Sequence, residues 1–135
     1  MLVIAGFNHA NPSDTGWSHS NSTTVQRSNT VKRTGGYSMR VGNSNTNYIV
    51  KVLDANYATL YKGFAFYVSG LTGTYARQRL CSFLDSTSTQ ICITLENTGA
   101  IRVWRGRVGG FDGTGAGTSL ATSATGLVTA NAWNH

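Results

Sequence analysis

The chain has 135 residues, a size typical of one domain, and 40 % of them are hydrophobic, which is enough to form a packed core. No apolar run approaches the roughly 20 residues that a membrane-spanning helix needs, and the apolar N-terminus lacks the basic region of a signal peptide. Only 12 % of residues are charged, which argues against a coiled coil or a helical bundle. Gly, Ser, Thr and Asn favour turns and polar strand faces and make up 58 residues, so composition predicts an all-β protein.

The formal charge is +6, from eight Arg, three Lys and five acidic residues. A basic surface of this kind suits nucleic acid, lipopolysaccharide, an acidic glycan or an acidic protein lattice, but the favoured interpretation is that the sign of the charge is incidental in a protein with few acidic residues. The absence of a run of lysine and arginine further disfavours nucleic acid as the partner.

Alternating apolar residues and turn formers predict short elements through the first half of the chain. In chain order they are a strand over residues 2–7, a polar loop over residues 8–30 with weak edge strands around Trp17 and Val25, strands over 36–41 and 48–52, a brief helical turn over 54–59, and a long strand over 60–68.

The clearest pattern is a three-stranded antiparallel meander between Arg77 and Arg107, with apolar residues at every second position. Its first turn is predicted as a loop over residues 85–88 that pairs Leu84 with Thr89. Its second turn is Asn97-Thr98-Gly99, with the glycine in the left-handed conformation and Glu96 opposite Ala100. One face is predicted to form the core: Leu80, Leu84, Ile91, Ile93, Leu95, Ile101 and Val103.

The predicted register places Arg79, Cys81 and Phe83, then Gln90, Cys92 and Thr94, then Arg102 and Trp104 on the opposite face. Aromatic rings with guanidinium and amide groups around them can stack on a sugar, grip an anion or anchor a protein contact. The candidate binding residues are therefore Arg79, Phe83, Gln90, Arg102 and Trp104. The alternative is that a neighbouring strand, loop or subunit covers Phe83 and Trp104 as ordinary packing.

The same register brings Cys81 opposite Cys92. We expect both thiols to be reduced, because no export signal directs the chain to an oxidising compartment. The cysteines lack zinc-ligand spacing, and His9, His19 and His135 show no metal-binding or catalytic pattern.

The sequence offers no pattern of paired catalytic acids. Asp85 and Glu96 stand at opposite ends of a predicted strand, about 30 Å apart, whereas a glycosidase needs two carboxylates about 5–9.5 Å apart. Residues 106–117 contain six glycines but lack the GxxxxGK[ST] pattern of a phosphate-binding loop. We therefore expect no catalytic residue, no metal and no cofactor.

Several segments together resemble the concanavalin A-like lectin/glucanase jelly rolls. They are Ile4-Ala-Gly-Phe7, Gly35 to Val41, Leu80 to Ser86, Ile91 to Leu95, Asn97-Thr-Gly99, Ile101 to Gly106, Thr118-Ser-Leu120 and Ala130 to His135. The Ser-, Thr- and Gly-rich character looks most like the modules found in virion proteins of tailed phages.

This resemblance implies an antiparallel β-sandwich of jelly-roll type over residues 1–135. In that family another strand would follow Trp133, so we expect part of the sandwich to be missing at the C-terminus or supplied by a partner. The sequence departs from the glucanase members, because it lacks their Glu-x-Asp-x-(x)-Glu strand. It also lacks the clustered Asp and Asn ligands of the calcium-dependent lectins.

The expected function is a non-catalytic structural module of a virion or surface assembly, such as a capsid decoration, fibre or tail component. Its expected partners are other virion or surface proteins, including copies of itself. A glycan-binding adhesion module is the alternative, and a polysaccharide hydrolase is a minor one.

Overall fold

The computed structural model describes residues 2–4, 18–19, 25–41, 48–55, 57–71, 77–106 and 117–135. Over these residues the chain contains eleven strands and no helix, so no helix there is long and apolar enough to cross a membrane. Every strand pair is antiparallel. The predicted all-β, antiparallel character is confirmed, while the jelly-roll strand order stays a prediction.

The chain divides into two compact units, of which the first comprises Met1–Ser69 and Asn131–His135. Its strands are β1 (Leu2–Ile4), β2 (Ser18–His19), β3 (Val25–Ser28), β4 (Ser38–Val41), β5 (Ile49–Val50), β6 (Phe66–Val68) and β11 (Trp133–Asn134). Five of them form one sheet in the order β11-β6-β1-β4-β3, and β2 pairs with β5. The single domain over residues 1–135 stays a prediction.

Among the described side chains of the first unit, the buried ones come mainly from β3, β4 and β6. Val25, Met39, Phe66 and Val68 are all buried. Val25 lies opposite Val41 and Met39 opposite Arg27, so the apolar residues of β3 and β4 follow the period of two that the sequence predicts. The strand predicted over residues 36–41 is thus confirmed as β4.

Two predictions in the first unit are wrong in extent. The long strand over residues 60–68 is a strand only at Phe66–Val68, and the strand over 48–52 is reduced to Ile49–Val50. The described residues of the predicted helical turn contain no helix, and Tyr57 instead donates a hydrogen bond to Asp54 (2.7 Å). An apolar run becomes a strand only where a neighbouring strand accepts its backbone hydrogen bonds, and residues 57–65 pair with no described strand.

The second unit comprises Gly70–Ala130 and holds one four-stranded sheet. Its strands, in the spatial order β10-β9-β8-β7, are β7 (Arg77–Asp85), β8 (Ser88–Glu96), β9 (Ile101–Arg105) and β10 (Thr118–Thr122). The predicted meander is confirmed as β7 to β9. Strand β10 was not predicted, because its sequence Thr-Ser-Leu-Ala-Thr carries one large apolar residue and shows no alternation. Most of the glycine-rich segment 106–117 lies outside the described residues.

Two bulges divide the β7–β8 pair into three parts. The predicted register holds at both ends, where Leu84 faces Thr89 and Arg79 faces Thr94. Between them Leu80 is an extra residue on β7 and Gln90 an extra residue on β8, so the middle of the ladder is shifted by one position. A register shift of one residue moves each side chain in the shifted part of the ladder to the other face of the sheet. The shift therefore changes which residues of β7 share a face with Trp104.

The prediction that the Ile and Leu face of the meander is the buried one is wrong. Leu84 is 53 % exposed, and of the predicted core set only Leu95 is buried. The better buried face carries Cys92, Thr94, Glu96 and Trp104. Hydrogen bonds and ion pairs hold these polar side chains together, which reduces the cost of removing them from water.

The turn between β8 and β9 has the predicted form. The Glu96 amide donates to the Ala100 carbonyl (2.8 Å), and the Gly99 amide donates to the Glu96 carbonyl (3.0 Å). Gly99 has a φ of 77°, and a Cβ placed there would lie 2.8 Å from the Val128 carbonyl oxygen. Glycine is required at this position both for the left-handed backbone and for the close approach of the segment that follows β10.

We expect Gly99→Ala to lower the free energy of unfolding by about 1–3 kcal/mol, because alanine there is strained and its Cβ meets backbone. Gly126→Ala isolates the strain, since Gly126 has a φ of 73° but open space at the Cβ position. Gly36→Ala, with open space and no left-handed φ, is the neutral control. Urea denaturation measures all three. Equal stability of the Gly99 and Gly36 variants would contradict the turn geometry.

Candidate functional site

The structure separates the five predicted binding residues. Arg102 lies opposite Thr94 on β8, and Trp104 lies opposite Cys92, as predicted. On the other neighbour of β8, strand β7, Arg79 also lies opposite Thr94. Arg79, Arg102 and Trp104 therefore share one face of the sheet.

The other two predicted binding residues do not join them. Phe83 pairs with Ile91 and therefore projects from the opposite face, and Gln90 is the extra residue of a bulge. The predicted association of Phe83 with Trp104 is wrong because of the one-position shift in β7.

Trp104 is packed into a polar cluster and is only 8 % exposed. Its indole Nε1–H donates to the Thr94 hydroxyl oxygen at 3.0 Å. The Thr94 hydroxyl in turn donates to the Glu96 carboxylate at 3.0 Å. The chain of donors fixes the indole over β8 and ends on a buried anion.

Two guanidinium groups approach this anion from the flanking strands. Arg77 Nε lies 3.6 Å from Glu96 Oε2, and Arg102 Nε lies 3.7 Å from Glu96 Oε1. Both guanidinium groups also contact the ring of Trp104, with their Cζ atoms 4.8 Å and 5.2 Å from its centroid. We call Arg77, Thr94, Glu96, Arg102 and Trp104 the guanidinium–indole cluster. Its cations are held both by the carboxylate and by the electron-rich ring.

The sequence analysis missed Arg77 and Glu96 as members of this cluster, although the signal was present. The predicted pairing of Leu84 with Thr89, continued along the strands, places Arg77 opposite Glu96, and this pair is observed. Opposite charges at facing positions on one sheet face are expected to interact.

Trp104 does not present an open ring on which a sugar could stack. A sugar ring needs an exposed aromatic face, whereas this indole is buried and contacts Arg77 and Arg102. Asp85 and Glu96 lie at opposite ends of β7–β8, at least about 25 Å apart along a nine-residue strand. These two carboxylates therefore cannot act across one glycosidic bond.

The prediction that Cys81 faces Cys92 is wrong by one position. Cys81 pairs with Ile93, and Cys92 pairs with Ser82, because Leu80 is accommodated as a bulge. No disulfide joins the two cysteines; Cys92 is buried against Trp104, and Cys81 is half-buried. The described residues contain no group of three potential His, Cys, Asp or Glu metal ligands.

A second feature lies in the first unit, where large apolar side chains are exposed in a short stretch. We call residues 52–61 the exposed apolar segment; residue 56 lies outside the described part of the chain. Its exposed members are Val52, Leu53, Tyr57, Leu60 and Tyr61. Val52 is 77 % exposed and Tyr61 92 %. Concentration of such residues in one stretch is typical of a surface that contacts another molecule.

The Tyr57–Asp54 hydrogen bond shifts the pKa values of the two side chains in opposite directions. The bond lowers the pKa of Asp54 below its ordinary value of 3.8, with smaller contributions from backbone amides and Lys51, and raises the pKa of Tyr57 above 10.0. The Asp54 contribution to stability is present above pH 3.8 and lost as pH falls through the lowered pKa. The Tyr57 contribution is present below pH 10.0 and lost as pH rises through the raised pKa.

We expect Tyr57→Phe to raise the pKa of Asp54 towards 3.8, because the carboxylate loses its principal donor. NMR titration of the aspartate carboxyl carbons measures the change. The unmodified protein, titrated in parallel under the same conditions, is the reference. An Asp54 pKa that is the same in both proteins would show that the hydrogen bond does not form in solution.

We expect Glu96→Gln to destabilise the protein by about 1–3 kcal/mol, because two partly buried guanidinium groups lose their counter-charge. The amide keeps the shape of the side chain and an acceptor for the Thr94 hydroxyl, so the loss of stability measures the effect of removing the negative charge. Asp85→Asn is the matched control at the exposed end of β7, with an expected change within about 0.5 kcal/mol. Urea denaturation curves compare the two, and similar midpoints would refute the role assigned to Glu96.

Comparisons with protein-family models, with curated proteins and with solved structures find no match to this chain.

Proposed function

We propose that the chain is a non-catalytic structural module of a virion or surface assembly, and that it works by protein–protein contact. The virion setting is suggested by the sequence resemblance to modules of tailed-phage proteins. The mode of action is supported chiefly by one observation, the exposed apolar segment. Leaving five large apolar side chains in water is unfavourable at about 25 cal/mol per Å² of apolar surface, and a protein partner would remove that cost.

A second copy of the same chain fits the segment. The segment carries Asp54 and is flanked by Lys51 and Lys62, so it presents both signs of charge. In a two-fold contact, a residue pair formed in one direction across the interface is also formed in the other. Asp54 of each copy could therefore face a lysine of its neighbour. At physiological salt the net charge of +6 on each copy is largely screened over distances beyond about 8 Å.

The glycan-binding alternative loses its main support from the face first assigned to it. Its aromatic platform was to be Trp104, and this ring is buried in the guanidinium–indole cluster. Phe83, the second aromatic residue of that hypothesis, projects from the opposite face of the sheet. The face keeps an excess of positive charge, because Arg77, Arg79 and Arg102 outnumber Glu96, but it lacks an open ring.

We expect the purified protein to form a discrete oligomer and the double variant Val52→Ser/Tyr61→Ser to be monomeric, since these two side chains are the most exposed of the segment. Light scattering coupled to size-exclusion chromatography measures the mass over a range of concentrations. Leu84→Ser/Leu127→Ser is the matched control, because both leucines are more than half exposed and lie in the second unit.

The control should keep the oligomeric mass of the unmodified protein. A monomeric unmodified protein at concentrations near 1 mM would argue against self-assembly through this segment. An oligomer that survives the segment variant but dissociates in the control would move the contact to the second unit.

A further inference from the structure

The β3–β4 hairpin, residues 25–41, carries the densest positive charge of the described chain. It contains four basic residues, Arg27, Lys32, Arg33 and Arg40, and all four are exposed. None of the five acidic residues of the protein lies in this stretch. Glu96, the carboxylate that pairs with Arg77 and Arg102, lies in the second unit, and no ion pair joins a described carboxylate to the four basic side chains of the hairpin.

Two serine hydroxyls at the ends of the strands organise the connection between them. Ser28 and Ser38 face each other across the ladder. The Ser38 hydroxyl donates to the Val31 carbonyl oxygen and lies 3.5 Å from the Ser28 carbonyl oxygen, and the Val31 amide donates to the Ser28 hydroxyl at 3.4 Å. Ser38 is fully buried by this arrangement. Val31 is thereby tied to the strand ends, and Lys32 and Arg33, the next two residues, extend from the tip into solvent.

Arg27 and Arg40 extend the charge along both sides of the ribbon. Arg27 lies opposite Met39 and Arg40 opposite Gln26, so the two guanidinium groups leave opposite faces. Arg27 is stacked on Tyr37, with its Cζ atom 4.1 Å from the ring centroid. Stacking of this kind restrains a guanidinium plane without using its in-plane N–H donors, which suits recognition of a carboxylate or sulfate.

We propose that this basic hairpin binds an acidic polysaccharide, with Lys32 and Arg33 at its tip making the principal contacts. The site is separate from the exposed apolar segment, so it adds a second binding activity to the proposed assembly function. Arginine pairs with carboxylate and sulfate groups through two parallel hydrogen bonds, and lysine adds a point charge. Asn29, Thr30 and Thr34 are exposed beside the basic pair and can hydrogen-bond to sugar hydroxyls.

The side-chain chemistry of the hairpin favours a polysaccharide over nucleic acid. Proteins that bind single strands offer exposed aromatic rings on which bases stack. Tyr37 is the one aromatic residue of this hairpin, and it is half-buried beneath Arg27. Recognition therefore depends on anionic groups and hydroxyls, which an acidic polysaccharide presents together.

The test compares binding of dextran sulfate, polygalacturonate, unmodified dextran and double-stranded DNA to the full chain by calorimetry. The hairpin variant is Lys32→Gln/Arg33→Gln, and the matched control is Arg79→Gln/Arg105→Gln in the second unit. Both variants remove two positive charges from exposed positions, so both lower the net charge equally. Circular dichroism and urea midpoints verify that the variants remain folded.

We expect the unmodified protein to bind at least one of the two acidic polysaccharides and to show no measurable binding to unmodified dextran. The hairpin variant should lose about tenfold in affinity, with a salt dependence reduced by about two units of slope, whereas the control should lose less than about twofold. Comparing the sulfated with the carboxylated polymer identifies the preferred anion.

Three results would overturn the proposal: no binding to either acidic polymer, tighter binding to DNA than to both, or equal losses in the hairpin variant and its control. The last result would assign the attraction to net charge rather than to this hairpin. Light scattering measures the oligomeric mass independently of calorimetry, so a failure of polysaccharide binding does not contradict the proposed assembly function.

Discussion

A carboxylate removed from water must be compensated by positive charge and hydrogen bonds, and in the four-stranded sheet this requirement falls on Glu96. Its two oxygens are approached by Arg77 from β7 and by Arg102 from β9, so the central strand is tied to both neighbours. Thr94 and Trp104 complete the arrangement from the same face. The face of this sheet that carries Thr94, Glu96 and Trp104 is thus the better buried one, although its polar composition suggests a solvated surface.

Much of this sheet could be predicted because the information is local. The Asn97-Thr98-Gly99 turn and the alternation of β8 and β9 determine which residues face each other, and Trp104 does lie opposite Cys92. The bulges at Leu80 and Gln90 could not be predicted, because nothing in either residue type distinguishes a bulged from a paired position. One unpredicted extra residue was enough to remove Phe83 from the face of Trp104 and to separate the two cysteines.

Burial was harder to predict than strand position. Alternation shows which side chains share a face, but it does not show which face is covered, and here Leu84 is exposed while Thr94 and Glu96 are buried. The run from Leu60 to Val68 illustrates the same limit, since a strand also needs a partner ladder along its whole length. Candidate sites inherit this difficulty, because a binding residue must be exposed as well as of the right type.

The environment of each arginine decides what that residue can do. Arg77 and Arg102 have their charge matched by Glu96 and their planes set against an indole, so they contribute order to the sheet. Arg33 and Arg40 lie in a hairpin without acidic residues and stay exposed to solvent. An anion that approaches the first pair must compete with a buried carboxylate, whereas one that approaches the hairpin meets no such competitor among its residues. The same residue type therefore holds the fold together in one unit and is available for an external ligand in the other.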